Sequence, residues 1–544
     1  MSRFNLLDEP WLSVVVDDKG STKEVSLLDL FANAHQYKDL AGDTQTQDFA
    51  VLRVLLAVLH TVFSRFDADG NPYDYLEIDE RFRQVERVEK EDIKKYKVVL
   101  RDTWINLWEQ GQFSEIVSQY LEKWRDRFYL FDEEYPFFQV RKEDIEKVKR
   151  LKNGANKIEG MTINRLISES SNKAALFSPK QQDKNHLFEA EIARWLLTYH
   201  GYSETGPMDT VGEKPYSKGW LYNLGGLFLK GNNLYETLLM NLTLFYYDYN
   251  NHLYVQEPCW EFDSKTNIDN YINKKMFTNI ASLYTLWSKE IYIDSDVNLT
   301  KFEFKVAKIP KISVADQFLE PMTLWKYSND SYQPQCHDPN KSLWRSFGLI
   351  TIRNKKSNHI PGIMDWQRKI KENIGNTVIS VCSVGMVSDK TANNTPISEV
   401  FDTLSINELV LADLEEGGWV PRINDTVEET KKVISKTYKK YINDIKEIRN
   451  ISSNLFTSQK VEELYFKIDQ PFRQWLASIQ PNDEKDAKVM DWRKTLKNLV
   501  EDEAKTLLSD GGNRDYTGIV EGKSVKNIAT AYNEFSYWIS QNLK

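Results

Sequence analysis

Four consecutive amphipathic segments follow residue 415, and they constrain the fold more than any other feature of the chain. The first carries Ile434, Tyr438, Tyr441, Ile445 and Ile448, separated by four, three, four and three positions. Apolar residues at this spacing lie along one face of an α-helix. Four such helices joined by short polar loops predict a four-helix bundle. The apolar positions of the other three segments are Val461, Leu464, Ile468, Phe472, Trp475 and Ile479, then Val489, Trp492, Leu496, Leu499 and Leu507, and then Val525, Ile528, Tyr532, Phe535 and Ile539.

The region before the bundle mixes strand-like runs with helical ones. Ser26 and Asp29 resemble a capping box at the start of a helix. Between 290 and 400, runs such as "EIYI", "FEFKV" and "TVISVCSV" alternate with turns, which predicts an α+β fold rather than a doubly wound sheet. A chain of 544 residues exceeds one ordinary core. We therefore predict a large mixed α+β N-terminal domain at 1–415, followed by a C-terminal four-helix bundle at 416–544.

Several features predict a cytoplasmic protein without a membrane partner. The most apolar run, "FAVLRVLLAVLHTVF" at 49–63, is too short for a membrane span and contains Arg53 and His60, so it predicts a buried helix. The N-terminus lacks a signal-peptide layout. The three cysteines lie far apart without a C-x-x-C, which argues against a zinc site and against a disulfide framework. We expect no metal and no cofactor.

Recognisable catalytic motifs are absent from the sequence. None of the seven histidines has metal-ligand spacing, and there is no G-x-S-x-G motif. The segment "EPCWE" offers Glu257 and Glu261, but paired acids arise often by chance among 80 acidic residues. The sequence therefore gives no positive support for an enzyme.

Local basic and polar segments are better candidates for function than any catalytic motif. The net charge of −9 argues against a protein that coats nucleic acid over its whole surface. Lys432, Lys436 and Lys439 share the helix face opposite the apolar stripe, which suits either a phosphate track or an ordinary solvated surface. The run "SVGMVSDKTANNTP" at 383–396 ends in lysine and amide side chains, which suit either base-edge contacts or an ordinary β-turn.

The order of several segments resembles one known family. These are "FNLLDEPWL" at the start, "YPFFQV", the loop around "NKAALFSP", the stretch "SKGWLYNLGGLFLKGNNLYETLLMNL" and the terminal bundle. Together they resemble CasA, the large subunit of the type I-E CRISPR Cascade complex, from end to end. Each motif alone is weakly specific, and it is their order that carries the resemblance.

The resemblance implies a non-catalytic subunit with a defined task. Such a protein recognises the protospacer-adjacent motif (PAM) in double-stranded target DNA and helps to open the duplex for guide-RNA pairing, which forms the R-loop. It also contacts the 5′ handle of the guide RNA (crRNA) and recruits a helicase–nuclease. Its partners would be the crRNA, the target DNA and the other Cascade subunits. A metal-dependent nucleic-acid enzyme and a purely structural scaffold remain the alternatives.

The resemblance also assigns residues to these tasks. The guide-handle and assembly loop would use Lys173, Leu176, Phe177 and Lys180, and the PAM-reading and strand-separating wedge loop would use Lys390, Thr391, Asn393 and Asn394. A glycine loop near the minor groove would contain Gly206, Gly212 and Gly219, because only a bare backbone approaches so narrowly. The basic face of Lys432, Lys436 and Lys439 is predicted to line the DNA path. The chain lacks the glutamine expected at the wedge and the clustered cysteines of some relatives.

Overall fold

The chain forms two compact units. The computed structural model describes residues 3–146, 156–159, 163, 185–203, 209–210, 216–245, 255–273, 277–352, 358–389, 395–522 and 524–543. The first unit comprises Met1–Asn340, Arg353–Asn373 and Val381–Asp402, and the second comprises Lys341–Ile352, Ile374–Ser380 and Thr403–Lys544. The predicted domain boundary between 415 and 416 stays a prediction.

Helices account for much of both units. In chain order the described α-helices are α1 (Leu27–Asn33), α2 (Gln45–Phe63), α3 (Ile93–Gln110), α4 (Ile116–Lys123), α5 (Lys142–Glu146), α6 (Glu189–Tyr202), α7 (Leu234–Asn241), α8 (Ser264–Ile272), α9 (Ile280–Tyr284), α10 (Phe347–Thr351), α11 (Gly362–Ile374), α12 (Glu408–Ala412), α13 (Trp419–Lys432), α14 (Lys439–Ile448), α15 (Leu455–Ala477), α16 (Lys485–Ser509), α17 (Asn513–Thr517) and α18 (Ile528–Asn542). A π-helical segment, Val433–Tyr438, joins α13 to α14.

The strands form several small sheets rather than one large one. They are β1 (Arg3–Asn5), β2 (Leu12–Val15), β3 (Thr22–Val25), β4 (Asp39–Leu40), β5 (Tyr129–Phe131), β6 (Asn156–Glu159), β7 (Asp209–Thr210), β8 (Gly226–Lys230), β9 (Lys289–Tyr292), β10 (Glu303–Lys308), β11 (Trp325–Ser328), β12 (Ser331–Pro334), β13 (Asn358–His359), β14 (Val378–Asp389), β15 (Thr395–Asn407), β16 (Ile519–Glu521) and β17 (Ser524–Lys526). Their orders are β1-β5, β3-β2-β4, β6-β10-β7 with β9 also on β10, β12-β11-β13, β15-β14-β8 and β16-β17.

Helix α2 lies in the core of the first unit. Thr44 caps its N-terminus by accepting a hydrogen bond from the backbone N–H of Gln47 at 3.2 Å. Arg53 donates two hydrogen bonds to Glu320, at 2.8 and 2.7 Å, and both side chains are buried. By length and composition α2 is the one helix in the described chain that could cross a membrane, but 94% of its apolar window is buried inside the protein. The predicted buried helix at 49–63 is therefore confirmed.

The N-terminal sheet and α1 follow from short-range sequence signals. Strand β2 pairs with β3 in an antiparallel register that places Leu12 opposite Val25. Ser26 then caps α1, because its Oγ accepts a hydrogen bond from the Asp29 backbone N–H at 3.1 Å. A hydroxyl at this position satisfies one of the free N–H groups of the first turn. The predicted helix start at Ser26 is confirmed.

The C-terminal part of the second unit forms a four-helix bundle. Helices α14 and α16 each pack against both α15 and α18. The apolar stripes meet in the core, where the ring centroids of Phe472 and Trp492 lie 4.9 Å apart. Those of Tyr441 and Phe535 lie 5.1 Å apart. The predicted fold class, a mixed α+β region followed by a helical bundle, is confirmed.

One predicted bundle position is wrong. Val525 lies in the β16–β17 hairpin opposite Val520, not in the last helix. The last helix starts later, because the side chain of Asn527 accepts a hydrogen bond from the Thr530 backbone N–H at 2.9 Å and caps it. Val525 fits the 3.6-residue period by chance, and the cap decides where the helix begins.

Candidate nucleic-acid interface

The structure describes four of the predicted site residues, Gly219, Lys432, Lys436 and Lys439. The remaining ones lie outside the described residues: Lys173, Leu176, Phe177 and Lys180 of the handle loop, Lys390, Thr391, Asn393 and Asn394 of the wedge loop, and Gly206 and Gly212 of the glycine loop. Those assignments stay predictions. The structure does describe the two strands that flank the wedge segment.

Two long strands flank the predicted wedge segment 390–394. Strand β14 ends at Asp389 and β15 begins at Thr395. Ser383 Oγ donates to the carbonyl of Asp402 at 3.2 Å, and the hydroxyls of Ser380 and Ser405 lie 3.4 Å apart. As position numbers rise on one strand they fall on the other, so the strands are antiparallel. They form a hairpin with β14 between β15 and β8.

Glu399 anchors this hairpin to the start of helix α2. Its carboxylate accepts hydrogen bonds from the backbone N–H groups of Gln45 at 3.2 Å and Thr46 at 2.9 Å. The Thr46 hydroxyl donates a third bond at 3.0 Å. The first N–H groups of a helix lack intrahelical partners and carry a partial positive charge, so a carboxylate is stabilised there. Glu399 therefore fixes β15 to the core helix of the first unit.

We expect Glu399→Gln to loosen this anchor without unfolding the unit. Loss of the negative charge removes about 1–2 kcal/mol of charge–dipole and hydrogen-bond stabilisation. Hydrogen exchange should become faster at the Gln45 and Thr46 amides, which donate to Glu399. Glu91→Gln, an exposed change in the same unit, is the control. Unchanged protection of both amides would show that Glu399 does not hold the strand.

An acidic cluster surrounds the anchor. Burial raises the pKa of Asp48 to about 7, and the negative charges of Asp39, Glu399 and Asp43 act in the same direction. Asp48 Oδ1 accepts a hydrogen bond from the Gly42 backbone N–H at 2.8 Å, which partly opposes the shift. This end of α2 is therefore negative around neutral pH, and it does not attract phosphate groups.

Asp48 makes the stability of the first unit depend on pH. Its pKa is higher in the folded chain than in the unfolded chain, so its stabilising contribution is present at low pH and is lost as the pH rises from about 4 to 7. We expect Asp48→Asn, whose side chain stays neutral at every pH, to abolish this pH dependence, which is on the order of 2–3 kcal/mol between pH 5 and pH 8. Urea unfolding at pH 5 and pH 8 measures it. The comparison with wild type isolates Asp48 from Glu290, whose pKa burial raises to about 8. An identical pH dependence in both proteins would contradict the assignment.

The segment that includes Gly226 brings β8 close to β14. A Cβ on Gly226 would lie 2.8 Å from Val384 Cγ1 and 2.9 Å from the Val384 carbonyl oxygen, closer than real Cβ contacts allow. A ring nitrogen of His337 lies 2.8 Å from the Gly226 carbonyl oxygen and braces the same place. A glycine at 226 is therefore required for the hairpin to dock on β8.

Gly219 has a similar structural reason to be glycine. A Cβ at this position would lie 2.1 Å from the carbonyl oxygen of Gly201 and 2.5 Å from the backbone nitrogen of Tyr202. Its N–H donates to the Ser203 carbonyl at 2.8 Å. The close approach is therefore to the chain's own helix α6, and the DNA contact of Gly219 stays a prediction. Helix α6 ends at Tyr202, upstream of Gly206, the first glycine of the predicted glycine loop.

The three predicted bundle lysines are exposed. Lys432 ends α13, Lys436 lies in the π-helical segment and Lys439 begins α14. None of the three forms an ion pair with another described residue, whereas Lys440 pairs with both Asp444 and Glu534. The three side chains therefore present uncompensated positive charge.

The π-helical segment was not predicted from the sequence. A single π-turn changes the spacing of the apolar residues too little to be recognised. Such turns occur often at functional sites.

The family comparison decides the identity of the chain. The model of the family described as CRISPR-associated protein Cse1 matches residues 5–502. The chain belongs to the Cse1 family. Cse1 is also called CasA, so the predicted membership of the CasA large-subunit family of the type I-E Cascade complex is confirmed.

Individual Cse1 relatives are distant in sequence. The CRISPR-associated protein CasA/Cse1 of Thermus thermophilus is 27% identical over 252 residues, which cover 44% of this chain and 40% of that protein. The match thus spans less than half the length of the relative. Crystal structures of Cse1 from Thermobifida fusca and Acidimicrobium ferrooxidans are 23% and 18% identical, with TM-scores of 0.78 and 0.71. They cover 99% and 100% of this chain and 98% of each of theirs, and they show the shared fold.

The part of this Cse1-family chain that the structure describes contains no group of three or more His, Cys, Asp or Glu side chains suited to a metal ion. Burial raises the thiol pKa of Cys259 and Cys382 to about 12, so neither is a ready thiolate ligand. Cys336 Sγ donates to the Asn223 carbonyl at 3.2 Å. The expectation of no metal remains an expectation for the chain as a whole.

Proposed function

We propose that this chain is a non-catalytic Cascade subunit that recognises the PAM in double-stranded target DNA. In this proposal it helps to open the duplex, so that the guide RNA pairs with the target strand and an R-loop forms. It also contacts the 5′ handle of the crRNA and recruits the helicase–nuclease that degrades the target. The protein then reads a short motif, whereas base pairing reads the remaining sequence.

The observation that carries the proposal is the β14–β15 hairpin, anchored through Glu399 at the start of α2. The segment between its strands supplies Lys390, Asn393 and Asn394. Ammonium and amide groups match the hydrogen-bond acceptors that base pairs present in the grooves. Strands fixed to a core helix would hold such groups in place and so reduce the conformational entropy lost on binding.

The charge distribution around the hairpin supports the same proposal. Burial raises the pKa of Asp48 at the start of α2, and the negative charges of Asp39, Glu399 and Asp43 lie close enough to add to the shift. A phosphate backbone is repelled by this cluster. DNA would therefore meet the hairpin at the segment with Lys390 rather than at the Glu399 anchor.

The other predicted contacts complete the proposal. Phe177 would stack on a base of the RNA handle or fill a pocket of a neighbouring subunit beside Leu176, with Lys173 and Lys180 on phosphates. The exposed lysine face at 432–439 would follow the target DNA. The glycine loop with Gly206 and Gly212 would approach the minor groove. We place the assembled complex in the cytoplasm.

One relative supports assembly with other subunits. A chain of a structure named CRISPR RNA-guided surveillance complex has a TM-score of 0.66 at 13% identity, and the match covers 99% of this chain and 100% of that chain. At this identity the likeness concerns the fold. We propose the same setting for this chain because its family membership points there independently.

A reconstitution experiment tests the proposed function. Cascade assembled with and without this chain is titrated with a matched target duplex in a gel-shift assay, and R-loop opening is followed by permanganate reactivity of the displaced strand. We expect tight binding and opening only when the chain is present. Equal binding and opening without it would reject the role in recognition. Turnover of the DNA by the purified chain with Mg²⁺ or Mn²⁺ would instead favour the enzyme alternative.

A further inference from the structure

A cavity of about 660 Å³ lies within the first unit, and no residue of the hairpin or of the lysine face lines it. Its walls come from the segment around Glu257, from helix α8 and from the residues that begin α9. The volume falls in the range of small-molecule sites, and such sites combine an apolar lining with a few convergent polar groups.

Polar groups of the cavity have unused hydrogen-bonding capacity. Asn279 Oδ1 accepts from the backbone N–H groups of Glu257 at 3.1 Å and Ser282 at 2.8 Å, which fixes the backbone of Glu257. Neither the carboxylate of Glu257 nor the side-chain amide of Asn270 makes a hydrogen bond with the described residues, although both line the cavity. Half-buried polar groups of this kind favour a ligand or ordered water as a partner.

Charge and aromatic groups complete the lining. Burial raises the pKa of Glu257, and Glu261 adds to the effect, whereas the cations of Arg65, Arg87 and Arg83 oppose it. Arg87 itself lines the cavity. The rings of Phe277 and Tyr271, which also line it, have centroids 6.4 Å apart. The site therefore offers a carboxylate acceptor, an amide, aromatic surface and a cation.

We propose that this cavity binds one unpaired nucleotide whose base carries an amino group, with cytosine as the type case. The carboxylate of Glu257 would accept from the N4 amino group of cytosine. Uracil presents an oxygen at the same position, and two acceptors repel. Phe277 offers ring surface to the base, and Arg87 lies in the same lining.

The bound nucleotide could be either a free mononucleotide or one unpaired nucleotide of a longer strand. Both present the same base edge to Glu257. The inference rests on the cavity of the chain alone and does not depend on the proposed function. If the cavity binds no nucleotide, the proposed role in PAM recognition still stands. If the reconstitution experiment fails, the proposal for the cavity still stands.

Calorimetric titration of the purified full-length chain with cytidine 5′-monophosphate and uridine 5′-monophosphate tests the pocket. We expect the cytidine nucleotide to bind about tenfold more tightly. Glu257→Gln should bring the two affinities to within about twofold, because an amide presents both a donor and an acceptor. Asn270→Leu should weaken both, because it removes a side-chain amide from the lining. Asp269→Asn is the control, because Asp269 is an exposed acid of the same helix that does not line the cavity.

Three results would overturn the proposal for the cavity. Equal affinities for the two nucleotides in the wild-type chain, or no saturable binding of either, would overturn the proposal. So would an undiminished cytidine preference in Glu257→Gln. A uridine heptamer with one central cytidine identifies the source. Tighter binding of this oligomer than of the mononucleotide assigns the pocket to a strand, and weaker binding assigns it to the free nucleotide.

Discussion

Reversing Lys432, Lys436 and Lys439 to Glu is expected to weaken target-DNA binding by the assembled complex about 10²-fold or more at physiological salt. Each lysine that neutralises a phosphate releases a counterion, and this release favours binding. All three side chains are exposed and form no ion pair with a described residue. Their positive charge is therefore not neutralised by a described carboxylate and can act on a phosphate of the DNA.

The salt dependence separates a direct contact from a general charge effect. The slope of log affinity against log salt should become shallower by about three, close to one unit for each lost contact. The control reverses Lys90, Lys94 and Lys95 to Glu, which changes the net charge equally on an exposed surface of the first unit. Unchanged affinity and slope in the bundle variant would show that these lysines form an ordinary solvated surface and do not contact DNA.

Glu261→Gln is expected to destabilise the first unit by about 3–5 kcal/mol. Arg65 donates to Glu261 Oε1 at 2.7 Å and to Oε2 at 3.1 Å, and neither side chain is exposed. Tyr120 donates to the same carboxylate at 2.7 Å. The substitution keeps the shape of the side chain but leaves the buried Arg65 guanidinium without its ion-pair partner. That is far more costly than the loss of an exposed pair.

Urea unfolding at pH 7 measures the effect. The control is Glu122→Gln, which removes a carboxylate from the partly exposed pair with Arg125 and should cost less than about 1 kcal/mol. A loss below about 1 kcal/mol for Glu261→Gln as well would show that the buried pair is not essential to the fold.

The sequence suggested only that Glu257 and Glu261 were a chance pair of acids. The structure gives Glu261 a structural partner and places Glu257 in a cavity.

Features that depend on nearby residues were predictable from the sequence. The bundle follows from the apolar period, as the buried positions Ile445, Leu464 and Leu496 show. The start of α1 follows from Ser26, whose hydroxyl accepts a hydrogen bond from the backbone N–H three residues later. The period alone could not exclude Val525 from the last helix, because the boundary depends on the cap at Asn527.

Features that depend on distant residues were not predictable. Glu399 and Thr46 are 353 positions apart, and no local pattern marks a strand carboxylate as the partner of a helix start. The requirement for glycine at 219 likewise comes from the backbone of Gly201, on another element. The family resemblance identified the wedge segment, but only the structure reveals how its flanking strands are held.

The most direct test of motif recognition measures binding of the complex to matched duplexes that carry every flanking trinucleotide. It compares wild type with a chain in which Lys390, Asn393 and Asn394 are changed to Ala. We expect a strong preference among trinucleotides for wild type and a nearly uniform, weak affinity for the variant, with assembly intact. An unchanged preference in the variant would show that the motif is read elsewhere, not by the segment between β14 and β15.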